Sequence, residues 1–167
     1  MSLVLPSHRT VNGLAALACF GAMGFALFLQ YVNNLEPCPL CIFQRVAMIT
    51  MSVIFVAAFA HNPQKIGAKI YALLAVLTAL LGAAIAGRHV WLQHLPEDEV
   101  PSCGPGLNYL IDTLPFSRML AIVLRGSGEC AKIDWTFLGF SLPELTLVVF
   151  IGFACIGLFQ LVRSKHG

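Results

Sequence analysis

The sequence predicts an all-α membrane protein, in which a bundle of four transmembrane helices carries one long outer loop with a short interfacial helix. Of the 167 residues, 58% are hydrophobic and 11% are charged, and the mean hydropathy is +0.82. Because soluble domains are nearer a quarter charged, a fold surrounded by water could not bury this much apolar surface. No apolar stretch alternates with polar residues at a period of two, which excludes a membrane β-barrel.

Four stretches of the chain have the length and apolar character of spanning helices. A helix needs about 17–25 mostly apolar residues to cross the hydrocarbon core. We therefore predict spans at about residues 14–32, 42–60, 70–88 and 144–162, within a single membrane domain that covers the whole chain.

The charged residues predict which side of the membrane each connection occupies. Basic residues lie before the first span, between the second and third, and after the fourth: Arg9, Lys65, Lys69, Arg163 and Lys165. These three segments contain no acid, and all eight acids fall on the opposite side: Glu36, Glu97, Asp98, Glu99, Asp112, Glu129, Asp134 and Glu144. By the positive-inside rule, both termini and the short middle loop are cytoplasmic. Because no basic run is interleaved with aromatic residues, we expect no nucleic-acid partner.

The two outward loops, at about residues 33–41 and 89–143, differ in kind. The second is about fifty residues long, which is too long for an idle connection in a compact bundle. Within it, residues 115–124 are apolar but too few to span, so we predict a helix that lies in the membrane interface. Trp91 and Trp135 bracket this loop, as aromatic residues do at headgroup depth.

Cys38 and Cys41 stand two residues apart where a polar turn enters the second span. The free N–H groups of a helix start favour a thiolate there, which lowers the pKa of the cysteine, and this pattern favours redox chemistry. Two alternatives are a stabilising disulfide and half of a zinc site. The disulfide would close a four-residue ring worth only roughly 2 kcal/mol. The zinc pattern lacks a second C-x-x-C, so we predict no metal.

Arg45 follows Cys41 by four residues and therefore shares a helix face with it. A cation at the centre of a span costs about 2.5–3.5 kcal/mol, and less near the end. One interpretation is that the side chain snorkels to the outer headgroups. We prefer a functional role, in which Arg45 stabilises a thiolate at Cys41 or an anionic, oxygen-bearing ligand beside it.

Cys103 and Cys130 lie in polar surroundings in the long outer loop. A disulfide between them would close a loop of about 28 residues and contribute roughly 3.5 kcal/mol, so a structural role is plausible. A second cysteine pair on the same face as Cys38 and Cys41 also favours thiol–disulfide exchange between the pairs, which needs only access and matched potentials.

Arg88 and His89 end the third span on the outer side. They either favour the helix C-terminus as cations, or His89 hydrogen-bonds a ligand at the depth of Arg45. Cys19 and Cys155 lie inside spans, where an apolar cysteine is usually inert packing.

Together these residues resemble the DsbB family of disulfide-bond-forming membrane proteins. The resemblance rests on CPLCIFQR at residues 38–45, on GRH at residues 87–89, and on Cys103 and Cys130 in one outer loop between four spans. It covers essentially the whole chain. Gln44 departs from family members that have an acid before the arginine, which affects the electrostatics near Arg45 but removes no redox atom.

The resemblance implies a quinone-dependent thiol oxidoreductase of the bacterial inner membrane, with its reactive cysteines in the periplasm. A reduced periplasmic thioredoxin-fold oxidant of the DsbA type would attack Cys103 and be held there as a mixed disulfide. Cys130 would be released and engage Cys38.

The resemblance further implies that Cys41, freed as a thiolate, passes electrons to a bound quinone, with ubiquinone the expected species. Arg45 and His89 would line the quinone site. The quinol would return its electrons to the respiratory chain through the membrane pool. Such an acceptor supplies the oxidising power that two protein disulfides alone would lack.

Two other functions stay open at this point. A quinone-linked reductase, similar to the four-helix epoxide-reducing membrane enzymes, would run the same groups in the opposite direction, and potentials rather than residues set that direction. A non-catalytic membrane scaffold would hold two static disulfides and leave Arg45 unexplained.

Overall fold

Seven helices and a two-stranded hairpin make up the part of the chain that the structure, a computed structural model, describes: residues 7–96, 98–102 and 107–163. The long helices are α1 (His8–Tyr31), α2 (Pro39–His61), α3 (Ile66–Gln93) and α7 (Leu142–Arg163). The outer loop holds α4 (Leu107–Thr113), α5 (Phe116–Arg125), α6 (Gly128–Ala131) and the antiparallel strands β1 (Thr136–Phe137) and β2 (Phe140–Ser141).

The four long helices are long and apolar enough to cross a membrane, which confirms the predicted fold class. They run beyond the predicted spans because capping and polar residues continue each helix past the apolar stretch. Ser7, for example, accepts the Thr10 backbone N–H at 3.1 Å and starts α1 six residues before the predicted span. Asn62 ends α2 in the left-handed region, with φ of 43°.

Helix α3 is central to the bundle, since it packs against both α2 and α7, while α1 packs against α2. Small residues allow the close approach. Ala75, Ala79 and Ala86 of α3 are buried, and the fully buried ring of Phe150 from α7 lies over Gly82. A bundle without strong hydrophobic driving force depends on this kind of small-residue contact.

Helices α1 and α7 are joined at the end where α1 begins and α7 finishes. There the buried Gln160 amide donates to the buried Asn12 side-chain oxygen at 2.9 Å, and His8 lies 3.5 Å from the same glutamine. Towards the opposite end, which carries Cys38 and Cys41, a cavity lies between these two helices.

The predicted loop helix is present as α5, displaced by one residue. Its apolar face buries Met119 and Val123 against Leu40 of α2 and Leu92 of α3. Gly126 follows with φ of 86°, and a Cβ there would overlap Leu92, so both conformation and space require glycine. We did not predict α4, α6 or the hairpin.

Replacing Gly82 with alanine should destabilise the bundle, because the new Cβ would overlap the Phe150 ring. Overpacking costs roughly 1–3 kcal/mol and exceeds the gain of about 1 kcal/mol in helix propensity. We expect the thermal unfolding midpoint in detergent to fall by a few degrees, on the order of 2–4 °C per kcal/mol.

The matched control is Gly152→Ala in α7, where a Cβ meets nothing within 4 Å. This variant should match or exceed the wild-type midpoint. An equal midpoint for Gly82→Ala would show that the α3–α7 contact is looser than described.

Candidate functional site

Cys38 and Cys41 lie at the start of α2, as the sequence predicted. Cys38 is the N-cap residue, in an extended conformation, and Pro39 occupies the first helical position, where no N–H is needed. The Cys38 side chain does not cap the helix, so its sulfur is available to other partners. Both residues are half-buried free thiols.

His89 of α3 lies beside both cysteines. The imidazole is 2% exposed, with Nε2 3.7 Å from Cys38 Sγ and Nδ1 3.9 Å from Cys41 Sγ. His89 therefore contacts both cysteines of the C-x-x-C pair directly, which is a more specific arrangement than a cation at a helix C-terminus. The three side chains bring donor atoms of the type that bind soft metals within 4.8 Å of one another.

Gln44 completes this group, although no role for it was predicted from the sequence. Its Nε2 lies 3.2 Å from His89 Nδ1, and both side chains are buried. An amide nitrogen only donates, so Nδ1 accepts and the imidazole proton is on Nε2, directed at Cys38 Sγ. Position gives a signal that could have identified Gln44, because it follows Cys41 by three residues and so shares its helix face.

Arg45 reaches across to α1 instead of extending towards the headgroups. Its guanidinium donates to the Gln30 side-chain oxygen, and to the Ala26 carbonyl at 3.2 Å. These bonds use two of the five guanidinium N–H groups, and among the described residues the others are left for a ligand. Arg45 thus joins α1 to α2 and faces the space between them.

A cavity of about 670 Å³ lies between α1, α2 and α7, and both cysteines of the C-x-x-C pair line it. Gln44, Arg45 and His89 belong to its polar lining, which also includes the charged residues Glu36, Glu129, Lys132 and Asp134. Much of the remaining wall is apolar, from α1 and α7: Ala22, Met23, Phe25, Leu29, Leu142, Leu145 and Val149. The ring of Trp135 meets Phe25 edge-on at 5.6 Å between centroids and forms part of the rim. The volume and lining are those of a site for one small organic ligand.

Cys130 is placed next to Cys38 by the outer loop. It is 1% exposed in α6, and its backbone N–H donates to the Ser127 carbonyl at 2.9 Å. A hydrogen bond with Cys38 and burial together hold the pKa of the Cys130 thiol well above its ordinary value. The structure therefore brings one cysteine of the second predicted pair to the first pair.

Polar side chains of α3 hold the loop in this position. Arg88 donates to the carbonyls of Leu124 and Arg125 at 3.2 and 2.7 Å, capping α5 at the end where its dipole favours a cation. Gln93 donates to the Lys132 carbonyl at 3.4 Å and accepts from Ser141 at 2.7 Å. The sequence predicted that Arg88, as a cation, favours the C-terminus of its own helix. In the structure Arg88 instead stabilises the C-terminus of α5.

Cys103, the other predicted loop cysteine, lies outside the described residues. Cys19 is buried in the core between the helices, and Cys155 is exposed on α7. Neither lines the cavity. His94 lies 2.9 Å from the Val90 carbonyl and also lies away from the cavity lining.

The fold and site define a multi-pass membrane protein with clustered free thiols at one end of its bundle. The family model for Disulfide bond formation protein DsbB matches residues 8–160. Relatives named Disulfide bond formation protein B include that of Hahella chejuensis, 52% identical over 96% of this chain and 97% of the relative. That of Acinetobacter baumannii is 56% identical over 94% and 92%, and that of Nitrosococcus oceani is 48% identical over 96% and 95%. The chain belongs to the DsbB family of membrane disulfide bond formation proteins, as its motifs predicted.

The raised pKa of Cys130 predicts how the fully reduced protein responds to alkaline pH. The contribution of this thiol to stability is complete below the ordinary cysteine pKa of about 8.5 and is lost as pH rises towards the raised value. Cys130 should therefore need a higher pH for alkylation than it does in the denatured protein. Mass spectrometry of the alkylated peptide, across a pH series in metal-free buffer, gives the midpoint.

The variant Cys38→Ala removes the hydrogen-bond partner and should move this midpoint back towards that of the denatured chain. A native midpoint equal to the denatured one would contradict the contact between Cys130 and Cys38.

Proposed function

We propose that this protein reoxidises a reduced periplasmic dithiol protein of the DsbA type and passes the electrons, through two cysteine pairs, to a quinone. The observation that carries the proposal is the cavity, because Cys38, Cys41, Arg45 and His89 line one space of about 670 Å³. Membership of the DsbB family supports the same chemistry.

The cavity fits a quinone in size and in chemistry. Ligand sites commonly have volumes of about 300–1,000 Å³ and combine apolar walls with a few polar groups. The apolar faces of α1 and α7 suit a hydrocarbon tail, and the Arg45 guanidinium suits a carbonyl oxygen. When bound, the quinone accepts two electrons and two protons and becomes a quinol; ubiquinone is the species we propose.

The position of the cavity supports delivery of this ligand from the bilayer. It lies between α1 and α7, while the bond between Asn12 and Gln160 joins the same helices at the other end. We therefore expect a lipid-soluble ligand to enter between α1 and α7.

The relay proceeds by thiol–disulfide exchange, so each step breaks one S–S bond and forms another. The partner thiolate attacks Cys103 in a Cys103–Cys130 disulfide and releases Cys130 as the leaving thiolate. Cys130 then attacks Cys38 in a Cys38–Cys41 disulfide and releases Cys41. The hydrogen bond between Cys130 and Cys38 supports this choice of sulfur.

His89 and Arg45 have separate tasks in this scheme. The Nε2 proton of His89 is directed at Cys38 Sγ and stabilises negative charge there during exchange. Arg45, held by Gln30 and the Ala26 carbonyl, keeps a positive charge at the cavity wall beside Cys41. The partner's second thiolate then displaces Cys103 from the mixed disulfide, and Cys103 displaces Cys38 from Cys130. The two pairs are restored when Cys38 and Cys41 form their disulfide again and two electrons and two protons leave with the quinol.

The charge distribution supports a location in the bacterial inner membrane with both termini cytoplasmic and the cysteines periplasmic. In this orientation α4, α5, α6 and the hairpin form the periplasmic loop of a single membrane domain. Cys103 would lie in the same loop, where a soluble partner has access.

Replacing Cys41 with serine should abolish turnover, because serine can neither form the disulfide with Cys38 nor provide the thiolate that gives electrons to the quinone. The assay follows quinone absorbance with purified protein and a reduced thioredoxin-fold partner. Cys155→Ser, on the exposed face of α7, is the control and should keep the wild-type rate. Full turnover by Cys41→Ser would refute its assignment. Faster reaction of quinol with an oxidised partner would favour the reductase function.

Replacing Arg45 with alanine should weaken binding of the quinone more than it slows transfer. A hydrogen bond to a charged group contributes about 1.5–3 kcal/mol, so the KM for quinone should rise roughly 10- to 100-fold. Arg9→Ala removes the same charge at the opposite end of the bundle and serves as the control. An unchanged KM for Arg45→Ala would leave Arg45 as a structural link between α1 and α2.

A further inference from the structure

The thiols and imidazole at the start of α2 have the spacing of a metal site when no disulfide joins them. One donor atom each from Cys38, Cys41 and His89 lies within 4.8 Å of the others. Zn²⁺ bonds to sulfur at about 2.3 Å and to nitrogen at about 2.0–2.1 Å, so tetrahedral ligands lie roughly 3.5–3.8 Å apart. The distance of 3.7 Å between Cys38 Sγ and His89 Nε2 is already in this range. The Cys41 sulfur lies 3.9 Å from the other ring nitrogen, Nδ1, and within 4.8 Å of the other two donor atoms of the group.

A candidate fourth ligand and a supporting shell lie beside these three residues. Cys130 is not one of the three donors within 4.8 Å of one another, but it belongs to the apolar cluster of Leu40 and Leu92 against which Cys38 packs. Metal-bound histidines are oriented by a partner on the second ring nitrogen, and Gln44 contacts Nδ1 at 3.2 Å. When a metal ion binds Nε2, the imidazole proton is on Nδ1. Rotation of the Gln44 amide then allows its oxygen to accept a hydrogen bond from Nδ1–H.

We propose, against the prediction of no metal from the cysteine spacing, that the fully reduced protein binds a soft divalent cation of the Zn²⁺ type through Cys38, Cys41 and His89, with the neighbouring Cys130 as the fourth ligand. Each thiol gives a proton to solvent when it binds, and nothing is oxidised. Formation of the Cys38–Cys41 disulfide removes two ligands, so the site exists only while both cysteines are reduced thiols. The bound cation occupies the thiolate lone pairs that would otherwise react and so blocks oxidation of both cysteines. This blocking effect rests on the proposed function, whereas metal binding does not depend on it.

The test uses Co²⁺ as a spectroscopic probe on the full-length, quinone-free protein, reduced with a phosphine. Tetrahedral Co²⁺ gives visible bands, and thiolate ligands add charge-transfer absorption. We expect one Co²⁺ per chain, displaced by Zn²⁺. The same protein with its disulfides formed should give no such spectrum, and this comparison needs no substitution. Equal binding by the oxidised protein would overturn the proposal.

Variants then test the ligand set. Cys41→Ser, Cys130→Ser and His89→Ala should each weaken Co²⁺ binding at least about tenfold, and Gln44→Leu about 10- to 100-fold through loss of its support to His89. Cys155→Ser should bind like the wild type. Undiminished binding by Cys41→Ser or His89→Ala would overturn the assignment.

The blocking effect is measured separately by adding quinone to the reduced protein with and without bound Zn²⁺. Oxidation of the thiols should stop and resume after a chelator is added. Full oxidation in the presence of bound Zn²⁺ would disprove blocking. Failure of metal-free protein to reduce quinone would instead count against the proposed function and leave the metal-binding result standing.

Discussion

The buried hydrogen bond between Gln44 and His89 is the contact on which the rest of the site depends. It connects α2 to α3 at the level of the cysteines and holds the imidazole where each ring nitrogen lies near one sulfur. Without the amide, Nδ1 would keep only the long contact with Cys41 Sγ at 3.9 Å, and an unsatisfied buried nitrogen costs about 1–3 kcal/mol. The same contact directs a proton towards Cys38. The Gln44–His89 hydrogen bond therefore links two packed helices and also positions the imidazole beside two thiols.

The four helices were predictable because length and apolar character are local properties of the sequence. The cysteines, Arg45 and His89 were predicted as candidate site residues for a similar reason, since an ionisable or redox-active group is conspicuous in an apolar stretch. Residue types alone could not show that Arg45 bonds to Gln30 and Ala26, because that depends on how closely α1 approaches α2.

In the outer loop, the shortest helix and the hairpin could not be predicted from the sequence. Helix α5 was predicted from its apolar run, but α6 has only four residues and the hairpin strands have two each, too few to leave a periodic signal. These short elements are shaped by contacts distant in sequence, such as Arg88 with the end of α5 and Gln93 with Ser141. These long-range contacts place Cys130 beside Cys38, so the spacing of the cysteines in the sequence could not predict that position.

The amide pair of Asn12 and Gln160 has a consequence for the space between α1 and α7. The Gln160 amide donates to the Asn12 side-chain oxygen and both side chains are buried, so separating the two helices there would leave a buried donor and a buried acceptor without this partner. The space between α1 and α7 is therefore asymmetric along the bundle. An amide pair joins the two helices at one end, whereas the cavity separates them towards the end that carries Cys38 and Cys41.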